Sequence, residues 1–387
     1  MGGALKMGPK AGKRCSHQRA GHDKGGKVAQ FKTKYGFIQT PDWQDDLIVT
    51  SLAKHGEWAF VEHHLFATLI RKGDRVWDGG AFLGTFGIGA AQIAAEHGQK
   101  PAFLLAIEPG AEINICLQAN LQWNSPCPWD LASCAISLNE GILQAVTEAE
   151  DNHGSRAYHQ ITDTTHDDAT HDSEVSGFAK LDGDAPVAKG PASNTMDQTL
   201  HSDAEGSGAP VQVEGFPLWR LRALHGDYEC LKLDIEGMEF EALKSDFNYL
   251  KDKKPVIWAE CNDSLPSLKV LEAMLALGYD PVYVAFPAFR SDNFNRDPDQ
   301  IYPMAYEAAL VAAPPDRLAD FDPVAAASGY EIIVRHVRNE WDLRNALWVT
   351  PRWSMAEWIN LRRPELLAIM GRQARGETLD RFLMGTD

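Results

Sequence analysis

Between Arg75 and Ala312, short β-prone apolar runs alternate with helix-prone stretches, and this alternation narrows the choice of fold more than any other feature. The runs are Arg75–Trp77, Ala102–Ile107, Leu131–Ile136, Tyr228–Ile235 and Pro255–Ala259. Helical stretches are expected at Thr85–Glu96, Ala111–Trp123, Met238–Ser245 and Leu265–Leu277. Parallel strands need a crossover of a dozen or more residues between them, usually a helix. The pattern therefore predicts an α/β fold with a doubly wound, mainly parallel sheet. Tyr279–Phe286 and Ala308–Ala312 read as an antiparallel hairpin that closes the sheet.

The flanking sequence divides by composition. Residues 1–34 carry nine Lys/Arg against the single acid Asp23 and read as a flexible basic arm. Residues 35–73 read as a helical lead-in, with Leu47, Leu52, Phe60, Leu65 and Phe66 at core positions. Residues 145–209 are rich in Asp, His, Ser, Thr and Gly, and read as a polar, partly disordered insertion with a short hairpin in it. His166 and His171 there could hold a metal loosely, but a solvated loop is the better reading. Residues 315–387 read as a helical extension.

The net charge of -17 is uneven: beyond residue 34 the chain holds 28 Lys/Arg and 53 Asp/Glu. So acidic a body repels nucleic acid, which disfavours a nucleic-acid substrate. No apolar run approaches the ~20 residues of a membrane span. Cys15, Cys116, Cys127, Cys134, Cys230 and Cys261 lack the paired spacing of a zinc site and read as reduced thiols, which suits a cytoplasmic protein.

Four segments carry the chemistry. In Val76-Trp-Asp-Gly-Gly-Ala-Phe-Leu-Gly84, a strand ending in Asp78 meets a glycine-rich turn that opens a helix. Helix N-terminal N–H groups face whatever binds there. The next strand ends in Glu108, where a carboxylate can accept both hydroxyls of a ribose. In Leu231-Lys-Leu-Asp-Ile-Glu-Gly-Met-Glu239, strand alternation puts Lys232, Asp234 and Glu236 on one side. Unpaired buried charge is costly, so Lys232 is expected to pair with a buried acid. Glu260 ends the following strand and completes an acidic rim with Asp78, Glu108, Asp234 and Glu236.

These segments, in this order, resemble the FkbM family of class I S-adenosylmethionine (SAM)-dependent methyltransferases. The resemblance lies in Gly73–Ala81 with Gly84, Ile107-Glu108-Pro109 with Asn120 and Asn124, Ala135–Ser137, Leu231–Glu239 and Pro255–Glu260. It implies a Rossmann-like sheet of seven strands over 74–314, SAM as cofactor, and O-methylation of a sugar, polyketide or similar hydroxylated small molecule. Phe82 stands where the family usually has Asn, and Gly215-Phe-Pro-Leu218 lies where Thr-Leu-Asp is common.

On this reading SAM contacts Gly80, Ala81, Gly84 and Glu108, and Asp78 orients the turn. Asp234 or Glu236 acts as the acceptor-side base, with Lys232 holding the strand end. A divalent cation could instead lower the acceptor hydroxyl's pKa, although no metal ligands are identified. Two rivals are an NAD-dependent oxidoreductase, disfavoured by the missing G-x-G-x-x-G, and a non-catalytic binding module on the same fold.

Overall fold

Five parallel strands form the centre of the main sheet: β3 (Arg75–Gly79), β4 (Phe103–Ile107), β5 (Trp129–Ala132), β10 (Cys230–Leu233) and β11 (Val256–Glu260). The computed structural model describes residues 28–43, 46–145, 158–160, 212–261, 265–301, 305–323 and 330–350. Beyond β11 the sheet continues antiparallel through β13 (Tyr306–Ala312), β12 (Val282–Pro287) and β14 (Ile333–His336). Its order is β14-β12-β13-β11-β10-β3-β4-β5. The expected parallel centre and final hairpin are therefore present. The sheet has eight strands among the described residues, not seven, because β14 comes from the extension expected to be helical.

Three other boundaries differ from the sequence reading. The described chain begins in a hairpin, β1 (Val28–Thr33) and β2 (Gly36–Pro41), so order starts before Tyr35 and the lead-in is not wholly helical. Its helical part is broken into α1 (Leu47–Lys54) and α2 (Phe60–Ala67). Gly56 lies in the break at φ 70°. The third expected strand also splits: β5 stays in the main sheet, while β6 (Ala135–Ile136) joins a second sheet. That sheet has the order β6-β9-β7-β8, with β7 (Gly141–Ala145), β8 (Tyr158–Gln160) and β9 (Gln212–Phe216). The β7–β8 pairing is antiparallel. Most of the basic arm (1–27), of the insertion (146–157 and 161–211) and of the C-terminal extension (351–387) lies outside the described residues.

Helices cover both faces. Val76, Leu104, Val256 and Trp258 pack with α2, α3 (Thr85–Glu96) and α4 (Ala111–Asn124) through Phe66, Phe86 and Leu117. Trp77, Leu105, Leu231 and Ile257 pack on the other face with α5 (Leu218–His225), α6 (Glu239–Ser245) and α8 (Leu265–Ala276). After α6 comes α7 (Phe247–Lys253); after β13 come α9 (Pro315–Leu318) and α10 (Glu340–Trp348). Capping follows local chemistry: Asp46 accepts the Val49 N–H at the start of α1, and Asn339 accepts the Asp342 N–H at the start of α10.

The chain runs outward from β3 through β4 to β5, then returns to β10 and continues the other way. Order therefore reverses between β3 and β10. Open α/β sheets bind ligands at such a point, beyond the carboxyl ends of the strands.

Asn120 of α4 supports this region. Its side chain accepts the Gln39 N–H at 2.7 Å and donates to the carbonyls of Gln39 at 2.9 Å and Leu83 at 3.0 Å. It thereby ties β2 to the glycine-rich turn, and it is fully buried. Asn124, one turn on, donates to Phe37 O at 2.8 Å. Asn120→Ala strands three backbone groups, the buried Leu83 carbonyl and the partly buried N–H and carbonyl of Gln39, and a stranded group costs about 1–3 kcal/mol where it is fully buried. We expect a stability loss of at least about 2 kcal/mol in denaturant unfolding. An unchanged midpoint would show that the hairpin is not anchored through this residue.

Candidate functional site

Lys232 sits in β10 directly beside Asp78 of β3 in the strand register. The lysine is 3% exposed and the aspartate 1%. Lys232 Nζ lies 3.4 Å from Asp78 Oδ1 and 3.1 Å from Asp234 Oδ2, and donates to Gly80 O at 3.0 Å. Burial works against the lysine's charge, but Asp234 and Asp78 outweigh it and hold the ammonium protonated. Asp78 is shifted upward by burial, against the pull of Lys232. Its Oδ2 accepts the Gly87 N–H at 2.9 Å, within the first turn of α3. The buried acid expected for Lys232 is therefore Asp78, and the same carboxylate orients the glycine-rich turn.

That turn passes against the end of β10. Gly80 has φ 73°, and a Cβ there would lie 1.7 Å from Asp234 O. No side chain fits, so glycine is dictated by the close approach of two backbones. Phe82 follows at φ 47°, in the left-handed region that Asn tolerates better than Phe. Its ring stacks on Trp43 of the lead-in at 6.3 Å.

Glu108, at the end of β4, clamps the turn from the other side. Its Oε2 accepts the Phe82 N–H at 3.0 Å and its Oε1 accepts the Gly110 N–H at 2.8 Å. Burial pushes its carboxyl up to about 7, against these two hydrogen bonds. A carboxylate offers about four acceptor positions. Two of them are taken by these backbone N–H groups.

Gly80, Glu108, Asp234 and Glu236 line one cleft that opens to solvent. Ile107, Pro109, Ile113, Ile136 and Met238 supply apolar wall, and Cys134 and Ala135 bring in the start of the second sheet. Of the residues singled out in the sequence, these four meet at the cleft. Asp78 and Lys232 lie buried beneath it. Ala81 is 4% exposed and, with Gly84, is not part of the cleft wall. A Cβ on Gly84 would meet Leu117 at 2.7 Å, so this glycine serves the packing of α3 against α4.

The sequence reading gave no role to Glu62 or Glu239. Glu62 of α2 accepts the Trp258 indole N–H at 2.7 Å and is pushed up to about 8 by burial, with Lys232 opposing. Its signal was an acid on the apolar face of a short helix. Glu239 accepts two N–H groups from the turn before it. Glu260 stands beside Asp234 on the same face, with its Oε2 buried and without a hydrogen-bond partner. Burial, then Asp234 and the other nearby acids, raises it far above the usual carboxylate range.

Among the described residues, no group of three or more His, Cys, Asp or Glu side chains is arranged to hold a metal ion. None of the described helices is long and apolar enough to cross a membrane. The five described cysteines are buried.

No family model matches the chain, and no curated protein matches it. Among solved structures, it is similar to the methyltransferase FkbM from Methylobacillus flagellatus KT, at 14% identity and a TM-score of 0.34. That overlap covers 62% of this chain and 43% of the other, so this chain spans less than half the FkbM protein's length. It is also similar to precorrin-6y C5,15-methyltransferase from Geobacter metallireducens GS-15, at 13% identity and a TM-score of 0.30, covering 66% of this chain and 88% of that one.

The raised Glu108 carboxyl has a measurable consequence. Its folded value of about 7 exceeds that of an unfolded glutamate, about 4.3. The fold therefore favours the protonated form. That contribution is fully present below about 4.3 and is lost as pH rises through about 7. We expect wild-type stability to fall relative to Glu108→Gln across this window in denaturant melts at stepped pH. Parallel pH profiles for the two proteins would remove Glu108 as the source.

Proposed function

We propose that this protein is a SAM-dependent methyltransferase that methylates a hydroxyl of a sugar, polyketide or similar small molecule. One observation carries the reading: a backbone-tight glycine turn, a carboxylate with spare acceptor positions, and two further carboxylates meet in one cleft at the sheet's reversal point. The residues fit the cofactor. Glu108 can accept the two ribose hydroxyls while still holding Phe82 and Gly110. Ile107, Ile113, Ile136 and Met238 offer apolar wall for a flat ring such as adenine.

Bound SAM supplies a methyl group on a positively charged sulfur, electrophilic toward a hydroxyl oxygen. The protein's part is then mainly placement. An attacking hydroxyl must give up its proton, and Asp234 and Glu236 are the cleft carboxylates that can take it. Asp234 is the more constrained of the two. Its Oδ2 faces Lys232, its N–H donates to Gly79 O at 3.1 Å, and its side chain remains 41% exposed. Lys232 holds the strand end and fixes where Asp234 presents its outer oxygen.

Ligand that binds only the folded state at ~100-fold above Kd adds about 2.7 kcal/mol of stability. SAM or its demethylated product is therefore expected to raise the melting temperature, and Gly80→Val or Glu108→Ala to abolish most of that rise. A wild-type melting curve indifferent to saturating SAM would end this reading.

Asp234→Asn and Glu236→Gln remove charge while retaining shape. They should keep SAM binding and lose methyl transfer by about 10²-fold or more, as for a lost general base. Lys232→Met should mainly destabilise, by roughly 3–5 kcal/mol, because it leaves buried Asp78 uncompensated. The acceptor can be found by incubating cell extract with the enzyme and deuteromethyl SAM and reading the products by mass spectrometry. Full single-turnover activity in both acid variants would transfer the base role elsewhere.

A further inference from the structure

The turn between β10 and α6 has two consecutive residues in the left-handed region, Glu236 at φ 56° and Gly237 at φ 92°. Glycine adopts this readily, but glutamate does not. A side chain held there persists only where its surroundings impose the conformation. Glu239 imposes it. Its Oε1 accepts the Ile235 N–H at 2.9 Å and the Gly237 N–H at 3.3 Å. These amides converge on the carboxylate as in an anion nest. The residue is 4% exposed and opens α6. Asp234, Ile235, Glu236 and Met238 of the same turn line the cleft.

We propose that Glu239 is a positioning residue of the cleft: its carboxylate bends residues 235–237 so that Ile235 and Glu236 stand on the cleft wall. A glutamate reaches the two amides, whereas an aspartate at 239 is one methylene too short. A glutamine still presents an amide oxygen to both donors. The cofactor arm of the test rests on the proposed SAM reading; the backbone arm does not.

The test uses the full chain with Glu239→Ala, Glu239→Asp and Glu239→Gln. Hydrogen exchange of the segment spanning 231–238 is measured without ligand, and SAM affinity is measured by calorimetry. In Glu239→Ala and Glu239→Asp, exchange at 235 and 237 should accelerate about tenfold or more, and SAM affinity should fall about tenfold. That is the size expected for losing a charge-assisted hydrogen bond. Glu239→Gln should stay within about threefold of wild type in both measurements, because the acceptor is kept. Acetate at tens of millimolar should partly restore SAM affinity in Glu239→Ala by entering the emptied nest, and should leave wild type unchanged.

Wild-type exchange and SAM affinity in both the Ala and Asp variants would overturn the proposal. So would a Gln variant as impaired as Ala. If Glu239→Ala does not fold, the Asp and Gln pair decides by the same criteria. If wild type binds no SAM, the functional reading fails, and the exchange arm still decides whether Glu239 holds the turn.

Discussion

A lysine buried in the middle of a parallel sheet sets the terms for everything around it. Central strands of such sheets are normally apolar on both faces. Lys232 breaks that rule, and an uncompensated ammonium there would be prohibitive. Asp78 on the neighbouring strand supplies the first counter-charge, Asp234 two residues on supplies the second, and Gly80 O takes a third donor position. These partners belong to the two strands that flank the reversal point, so one buried cation fixes the strand pair, the shape of the glycine turn and the floor of the cleft. Replacing it with an apolar residue would leave two acids that have no other reason to approach each other.

Glu108 and Glu239 solve the same local problem at opposite sides of the cleft. Each gives its carboxylate to backbone N–H groups of irregular turns, Glu108 to Phe82 and Gly110 and Glu239 to Ile235 and Gly237. In both turns a non-glycine residue is held at positive φ, Phe82 in one and Glu236 in the other. Strain of this kind accumulates where geometry matters more than stability. The carboxylates therefore act on the site largely through the main chain, which is stiffer than a side-chain contact and places several wall residues at once.

The strand–helix alternation and the alternation within Leu231–Glu239 were legible because both follow from strict periodicities. That Lys232 needs a buried acid, and that Gly80, Glu108, Asp234 and Glu236 gather at the strand ends, could be argued from residue type and strand-end position; that the acid is Asp78 follows only from the strand register. The β1–β2 hairpin was missed because its six-residue strands sit beside a lysine-rich arm, and the pairing partner that stabilises it is α4 through Asn120 and Asn124. The eighth strand, β14, has only Ile333 and Val334 as apolar residues and owes its place to pairing with β12. The roles of Glu62 and Glu239 were missed for a related reason. Their roles are contacts to Trp258 and to a turn, and neither spacing nor composition encodes them.

The crowding of acids at the strand ends becomes tolerable once each is assigned its environment. Asp78 is neutralised by Lys232. Glu108 and Glu239 are both raised to about 7 by burial while accepting backbone N–H groups. Glu260 is pushed up by burial and by its acidic neighbours, Asp234 first among them, which favours its protonated form. Like charges on one rim are therefore thinned by protonation and pairing, and do not all face one another ionised. Asp234 and Glu236 remain as the acids that open onto the cleft with partly exposed side chains. A site arranged this way concentrates its anionic character on one turn, the turn that Lys232 anchors at its start and Glu239 holds at its end.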